Sequence, residues 1–454
     1  MTRLTRRTPP MAPGIVHLGP GAFFRAFVAP YTADAVAAHG GDWGITAVSL
    51  QSPRARDQLG PQGGAYTSVT MGPEGEEARV IEVIQDVLVA PEDPHAVQQA
   101  LVAPETKIVT LTITEKGYRV PDLSDDDWPR TAIGLLVTAL GERWRLGRRP
   151  ITILSCDNLP DNGAATKAAC LALARRLDET FAQWVADNIR FPSCMVDRIT
   201  PATTQADLDR LEAQLGYRDE ALVLHEPFRQ WVIEDNFAGP RPAWEAGGAQ
   251  FVRSVGAHEA MKLRCLNGTH SALAYLGYLG GHEAISDAVA DPVYAGLCRY
   301  LWDEEILPSL DPPEGEDLPA YTAALLGRYQ NPAIRHRTWQ IAMDGSQKLP
   351  QRILGTIADN LAAGRPIAGL ALVVAGWMRY VGGVDEAGAD IDVRDPMAAA
   401  LRAAHTGDPV ANLLTIEAVF EPALAGDARF RAAVATAYDT IVTHGARAAI
   451  EDLI

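Results

Sequence analysis
At 454 residues the chain is long enough to bury a large core and form two domains or three. Its 47% hydrophobic and 21% charged content exclude wholesale disorder. The formal charge of −17, from 40 basic against 57 acidic residues, argues against a nucleic acid or an anionic membrane as partner, while leaving room for a small anionic substrate met by a few local cations.

Gly14–Leu18 is a short apolar strand that ends in Gly19, followed by Pro20-Gly21-Ala22-Phe23-Phe24-Arg25 and a helical stretch to about His39. A second strand, Ile45–Leu50, comes next. Strand, glycine turn, helix and strand open a dinucleotide-binding fold, in which glycines let the backbone approach a pyrophosphate. Gly19 and Gly21 fit G-x-G, but Phe24 stands where a third glycine is usual, so the turn alone leaves cofactor binding and simple turn geometry equally open. Gly19, Gly21, Ala22, Phe23 and Arg25 are its candidate cofactor contacts. No acid follows the second strand before Asp57; Gln51 or Arg54 would meet the adenosine ribose or its 2′-phosphate. The choice between NAD and NADP therefore stays open on these residues.

Alternating segments between Tyr66 and Val89 flank Gly72-Pro-Glu-Gly and read as a hairpin inserted into the α/β order. Lys107–Thr114 is a buried strand, and Glu115 and Lys116 follow at its C-terminal end, the end that faces the ligand crevice in doubly wound sheets. Ala132–Leu146 is helical, Ile151–Cys156 is another strand, and Ala164–Asn188 is read as one helix. Asn158, just past the strand end, either donates an amide N–H into the crevice or makes a local Asx turn. The Asp197–Arg198 pair reads first as a structural salt bridge.

From about Gly256 strand patterns vanish. The expected organisation is a Rossmann-type α/β domain with a β insertion over residues 1–255 and a mostly α-helical domain over 256–454. The helical domain opens on Met261–His270. Read as an α-helix, Lys262, Asn267 and His270 fall within an arc of about 140°, with Glu259 in the same arc. Unpaired polar groups are costly to bury, so an apolar helix carrying an amine, an amide, an imidazole and a carboxylate needs partners for them. Gly345–Pro350 reads as a polar turn. No His/Cys spacing suits a metal, and none is expected. Five scattered cysteines read as reduced thiols, the first residues lack the apolar core of a secretory signal, and the longest apolar run, Ile367–Met378, is too short to cross a bilayer. The expectation is a cytoplasmic enzyme; a monomer is compatible with the absence of heptads.

Five motifs in order carry a resemblance to a known family: His17-Leu-Gly-Pro-Gly-Ala-Phe-Phe-Arg-Ala26, Thr112-Ile-Thr-Glu-Lys-Gly-Tyr118, Ser155-Cys-Asp-Asn-Leu159, Val196-Asp-Arg-Ile-Thr-Pro201 and Lys262…Asn267…His270. The set resembles the mannitol dehydrogenase family of long-chain polyol and sugar-acid dehydrogenases. His336–Gln351 and Val374–Asp385 look most like its fructuronate reductase (mannonate oxidoreductase) branch.

The resemblance implies a metal-independent NAD(P)-dependent secondary-alcohol dehydrogenase with its base on the helical domain. Lys262 would be that base, Asn158 and Asn267 would hold the developing alkoxide, and His270 would orient the substrate. Glu259 would exchange protons with solvent, while Asp197 and Lys348 would line the substrate pocket. A lysine kept dry loses its charge more readily, and two amide donors at the oxygen do the electrostatic work that zinc does in other dehydrogenases. Gln340 departs from the Arg more often seen in polyol-oxidising members. The expected substrate is a sugar acid, fructuronate or mannonate; the alternatives are a neutral polyol such as mannitol or arabinitol, or a non-catalytic sugar-acid sensor. A sugar acid needs a cation in the pocket beyond the base, for which Lys348, Arg335, Arg337 and Arg379 are candidates.

Overall fold
The computed structural model describes residues 2–454. The chain forms two compact units, one through Gly256 and one from Ala257 onward.

The first unit is built on five parallel strands: β1 (Pro13–Leu18), β2 (Gly44–Ser49), β3 (Ile84–Val89), β4 (Ile108–Leu111) and β5 (Thr152–Ser155). They lie in the order β3-β2-β1-β4-β5, with Ile15 paired to both Ile45 and Ile108, and Ile108 to Thr152. This is the strand order of a Rossmann sheet, with the chain reversing direction across the sheet beside β1. Side chains alternate between its faces. Ile15, Ile45, Ala47 and Ile108 pack with Phe24, Phe27, Tyr31, Trp231 and Trp244 on one side. Val16, Leu18, Val48, Val109 and Leu111 pack with Leu135, Leu136, Leu140 and Leu173 on the other. Both faces are covered, which is why the strands read as nearly continuous apolar runs.

The insertion is partly as expected. Tyr66–Gly72 and Gly75–Ile81 form an antiparallel hairpin, extended by Val223–His225. The segment beyond Ile81 does not belong to it: Ile84–Val89 returns to the parallel sheet as β3, because its apolar residues pack under β2. The helix expected over 164–188 is two helices, Asn162–Leu177 and Glu179–Asn188. Asp178 breaks it by taking an extended conformation and capping the second helix through the Phe181 N–H. Arg198 does not pair with Asp197; it donates to the carbonyls of Glu226 and Ala26.

The second unit is helical around one buried helix, Ala368–Val381. Apolar on nearly every side, that helix is a core element, and each fully buried Leu or Val on it contributes about 2 kcal/mol of burial. Its first N–H groups, of Gly369 and Leu370, donate to the carboxylate of Glu305 (2.6 and 2.8 Å), which is completely buried. No helix among the described residues is long and apolar enough to cross a membrane. The expected polar turn at 345–350 is helical instead: Gly345–Leu349 runs into the π-helical turn Pro350–Leu354 and then Gly355–Ala362. Leu349, Ile353 and Leu354 supply the buried face that holds it.

Candidate functional site
The first unit gathers its candidate residues at the C-terminal edge of the sheet. Gly19 follows β1 with φ +92°, a left-handed conformation that only glycine adopts without strain. A side chain there would collide with the Thr112 carbonyl. His17 secures the turn: its ring stacks on Phe24 (3.7 Å between centroids) and bonds the Thr110 hydroxyl (2.8 Å), the Thr112 hydroxyl (3.1 Å) and the Gly19 carbonyl (3.2 Å). Burial lowers the His17 imidazole to about 3, so it is a neutral structural bracket. Above Gly21 the space is open; a Cβ there would meet only the Gly19 carbonyl, at 3.9 Å. Ala22 opens the helix Ala22–Ala26, and Phe23 stacks on Phe27. Arg25 donates to the Pro20 carbonyl (3.0 Å), yet its buried Nε–H has no acceptor among the described residues. A glycine cradle with open space and a guanidinium holding an unused donor fits the pyrophosphate of a dinucleotide.

Gln51 and Arg54, both exposed, follow β2, where the ribose of such a cofactor belongs. Glu115 and Lys116 lie exposed in the 3₁₀ turn Glu115–Tyr118 after β4. That turn is pinned by Asp157, whose carboxylate accepts from the N–H of Ile113 (2.8 Å) and Thr114 (3.0 Å) and from the Tyr118 hydroxyl (2.6 Å). Thr114 takes a positive φ of 62° under this constraint. Burial pushes the Asp157 carboxyl up. Asn158, exposed, comes next at the end of β5. The local staples around it are made by Asp157 and by Asn162, whose amide bridges the Asp157 and Cys194 carbonyls. Asp197 is buried at the end of the separate strand Cys194–Asp197.

The second unit carries the other cluster, and here the helix expectation is corrected. Gly256–Met261 and Thr269–Leu279 are α-helical, but Lys262–Gly268 between them is a π-helix. An α-helix would set Lys262 and Asn267 about 140° apart. Hydrogen bonding from i to i+5 instead brings residues five apart onto one face, so Lys262 and Asn267 share a side of the helix. Lys262 and Asn267 are each 7% exposed and His270 is 6% exposed. Glu259 lies one turn earlier, half-buried.

Widening a helix disturbs its carbonyls, and side chains meet them. The Trp302 indole N–H (3.0 Å) and the Thr269 hydroxyl (2.6 Å) donate to Cys265 O, and the Tyr329 hydroxyl (2.9 Å) donates to Leu266 O. Tyr329 also stacks on His270, with centroids 4.9 Å apart, so one residue braces both the π turn and the imidazole. Replacing Tyr329 by Phe keeps the stack and leaves the Leu266 carbonyl short of a donor. The expected result is a loss of about 1–2 kcal/mol in denaturant unfolding and a fall in kcat of about tenfold with little change in cofactor affinity.

Burial drives the His270 imidazole well below its ordinary range, reinforced by His336, Arg352, Arg328 and Lys348. His336, edge-on to it at 5.0 Å, is lowered to about 4 by burial and Lys348. Both rings are therefore neutral near pH 7. The His270 Nε2 is buried with no hydrogen-bond partner among the described residues, which leaves it for a ligand hydroxyl. Lys348, half-buried, donates to the Ile341 carbonyl (3.2 Å). The Arg335 side chain is 65% exposed and pairs with Glu283 (3.2 Å), Arg337 is exposed, and Arg379 donates to the carbonyls of Val384 and Asp385. Among the described residues no three His, Cys, Asp or Glu side chains converge as a metal site.

His17, Asp157 and Tyr329 were not singled out from sequence. A histidine inside an apolar strand and an aspartate at a strand end were readable signals; a tyrosine in the amphipathic helix Leu318–Tyr329 reads only as core.

The family model for the mannitol dehydrogenase Rossmann domain matches residues 13–246, and that for the mannitol dehydrogenase C-terminal domain matches 254–442. D-mannonate oxidoreductase of Escherichia coli K12 is 45% identical, over 97% of this chain and 95% of that protein. The structure of Pseudomonas fluorescens mannitol 2-dehydrogenase in a ternary complex with NAD and D-mannitol superposes with a TM-score of 0.88 at 37% identity, over 100% of this chain and 96% of that one. A substrate-free D-sorbitol dehydrogenase superposes with a TM-score of 0.89 at 32% identity, covering 97% and 95%. A Rossmann sheet followed by a helical unit, matched by both family models along nearly the whole chain, places this protein in the mannitol dehydrogenase family of oxidoreductases.

Proposed function
We propose that this chain is an NAD-dependent, metal-independent dehydrogenase that interconverts a sugar acid and its keto form, D-mannonate and D-fructuronate. The observation that carries the reading is the π turn that brings Lys262 and Asn267 onto one buried face, with a His270 nitrogen that has no hydrogen-bond partner among the described residues. Similarity to a D-mannonate oxidoreductase supports the choice of substrate.

In alcohol oxidation, Lys262 Nζ takes the proton of the reacting hydroxyl; a buried amine, disfavoured as a cation, is suited to that role. The carboxamide of Asn267 donates to the oxygen as negative charge develops, replacing water with a fixed dipole; for Asn158 the same kind of role rests on the family resemblance alone. His270, neutral, bonds a neighbouring hydroxyl through Nε2 and fixes which carbon reacts. Glu259 passes the proton between Lys262 and solvent, and Asp197 and Lys348 border the substrate. NAD, when bound, would supply the hydride acceptor. The turn at Gly19, Gly21, Ala22, Phe23 and Arg25, with Gln51, Arg54, Glu115 and Lys116, would hold it. Five unpaired, buried thiols suit a reducing cytoplasm.

The test is oxidation of NADH and NADPH, followed by absorbance, with fructuronate, tagaturonate and fructose, each with and without EDTA. The expected result is fructuronate with NADH as the best pair, insensitive to EDTA. Fructose as the clear best substrate moves the enzyme to polyols, and EDTA inhibition overturns the metal-free mechanism.

A further inference from the structure
Two arginines of the first unit are held by backbone carbonyls, whereas Arg352 of the second unit is half-buried and is not. Arg143 donates to the carbonyls of Leu101, Ala103 and Arg149, and Arg198 to those of Glu226 and Ala26. Arg352 stands on the π turn Pro350–Leu354, which packs on the Lys262–Gly268 turn so closely that a Cβ on Gly268 would lie 3.1 Å from the Arg352 carbonyl. Its guanidinium makes one hydrogen bond, from Nη1 to the hydroxyl of Ser271 at 3.2 Å. Ser271 is buried and adjoins His270 in sequence. No carboxylate pairs with Arg352 among the described residues, and burial lowers its pKa.

A guanidinium offers five N–H donors in a planar fork, and holding it away from water without a counter-charge is costly. The surroundings add to the imbalance, because Arg328 and Lys348 act on His270 with the same sign as Arg352. Such a site is unfavourable when empty and is relieved by an anion; a planar carboxylate matches the fork through two parallel hydrogen bonds.

We propose that Arg352 receives the carboxylate of an anionic sugar substrate and so sets the preference for a sugar acid over a neutral polyol. The proposal rests on the reading of Lys262, Asn267 and His270 as the reacting site. It assigns the anion-binding role to a residue one helical turn beyond Lys348, in place of Arg335, Arg337 or Arg379.

The experiment compares mannonate with mannitol, which differ by the carboxylate, in the wild type, Arg352→Gln and Arg352→Lys. In Arg352→Gln the ratio of kcat/KM for mannonate over mannitol is expected to fall about 10- to 100-fold, chiefly through KM for mannonate, as befits one charge-assisted pair. Arg352→Lys is expected to lie between. The ligand-free Tm of Arg352→Gln is expected to equal or exceed that of the wild type, since an unpaired charge is removed. Equal losses on both substrates with a lowered Tm make Arg352 a structural residue and overturn the proposal, as does an unaltered ratio. A wild type that oxidises mannitol but neither oxidises nor binds mannonate overturns it together with the sugar-acid reading. A wild type inactive on both overturns the reading of the site; protection against thermal unfolding by mannonate in the wild type but not in Arg352→Gln still supports Arg352 as the carboxylate receptor.

Discussion

Replacing Lys262 by Ala is expected to lower kcat for sugar-acid oxidation by about 10³-fold or more while NADH affinity, measured by fluorescence titration, changes less than about twofold. The two readouts separate because the lysine belongs to the helical unit whereas the glycine turn belongs to the Rossmann sheet. Loss of the amine removes the acceptor for the hydroxyl proton, and Asn267, with its own backbone held in the π turn, keeps its place. Partial rescue by added primary amines, scaling with amine basicity, would identify the missing group as a base. A mutant that loses NADH binding and turnover to the same degree would make Lys262 a structural residue.

Gly19→Ala is the second large effect, and its neighbour serves as control. At φ +92° an alanine costs about 1–2 kcal/mol in backbone strain, and its Cβ collides with the Thr112 carbonyl. That carbonyl cannot simply retreat: the Thr112 N–H bonds Leu18 O, and its hydroxyl bonds the Gly19 carbonyl at 2.7 Å. The whole turn must shift, so we expect a loss of about 3 kcal/mol or more in unfolding free energy and a rise of at least about tenfold in the NADH dissociation constant. Gly21→Ala meets nothing of the protein closer than 3.9 Å. Its unfolding free energy should change by less than about 1 kcal/mol, while its methyl group fills space assigned to the cofactor and NADH affinity falls. If Gly21→Ala leaves affinity intact, the pyrophosphate does not lie over this turn.

How much could be read in advance depended on how each feature is written in the chain. The parallel strands were legible because a sheet covered on both faces must be apolar at consecutive positions, as in Ile108–Leu111. The hairpin was legible from its glycine turn, but its end was not: Val80-Ile-Glu-Val-Ile84 stays rich in β-branched residues through the point where the chain leaves the hairpin for β3. Asp178 looked like one more polar residue on a helix surface, yet acts as a cap. Lys262, Asn267 and His270 were found by type and spacing, but the π turn that lines up the first two leaves no periodic signature over seven residues. Arg352, which directly follows the His336–Gln351 motif, was not among the candidate cations. Only packing distinguishes a guanidinium wedged beside Ser271 from the exposed Arg335.

The widened turn also has a geometric meaning for the helix that continues from it. In a regular helix the apolar stripe and the reactive groups share a single fixed phase, so one cannot be re-aimed without rotating the other out of the core. Inserting a residue between Met261 and Thr269 breaks that lock: Leu273 and Leu276 keep their seats in the interior while the segment ahead of them is indexed separately. The scaffold can thus hold its packing constant and still adjust, upstream of the insertion, the direction in which its amine is presented.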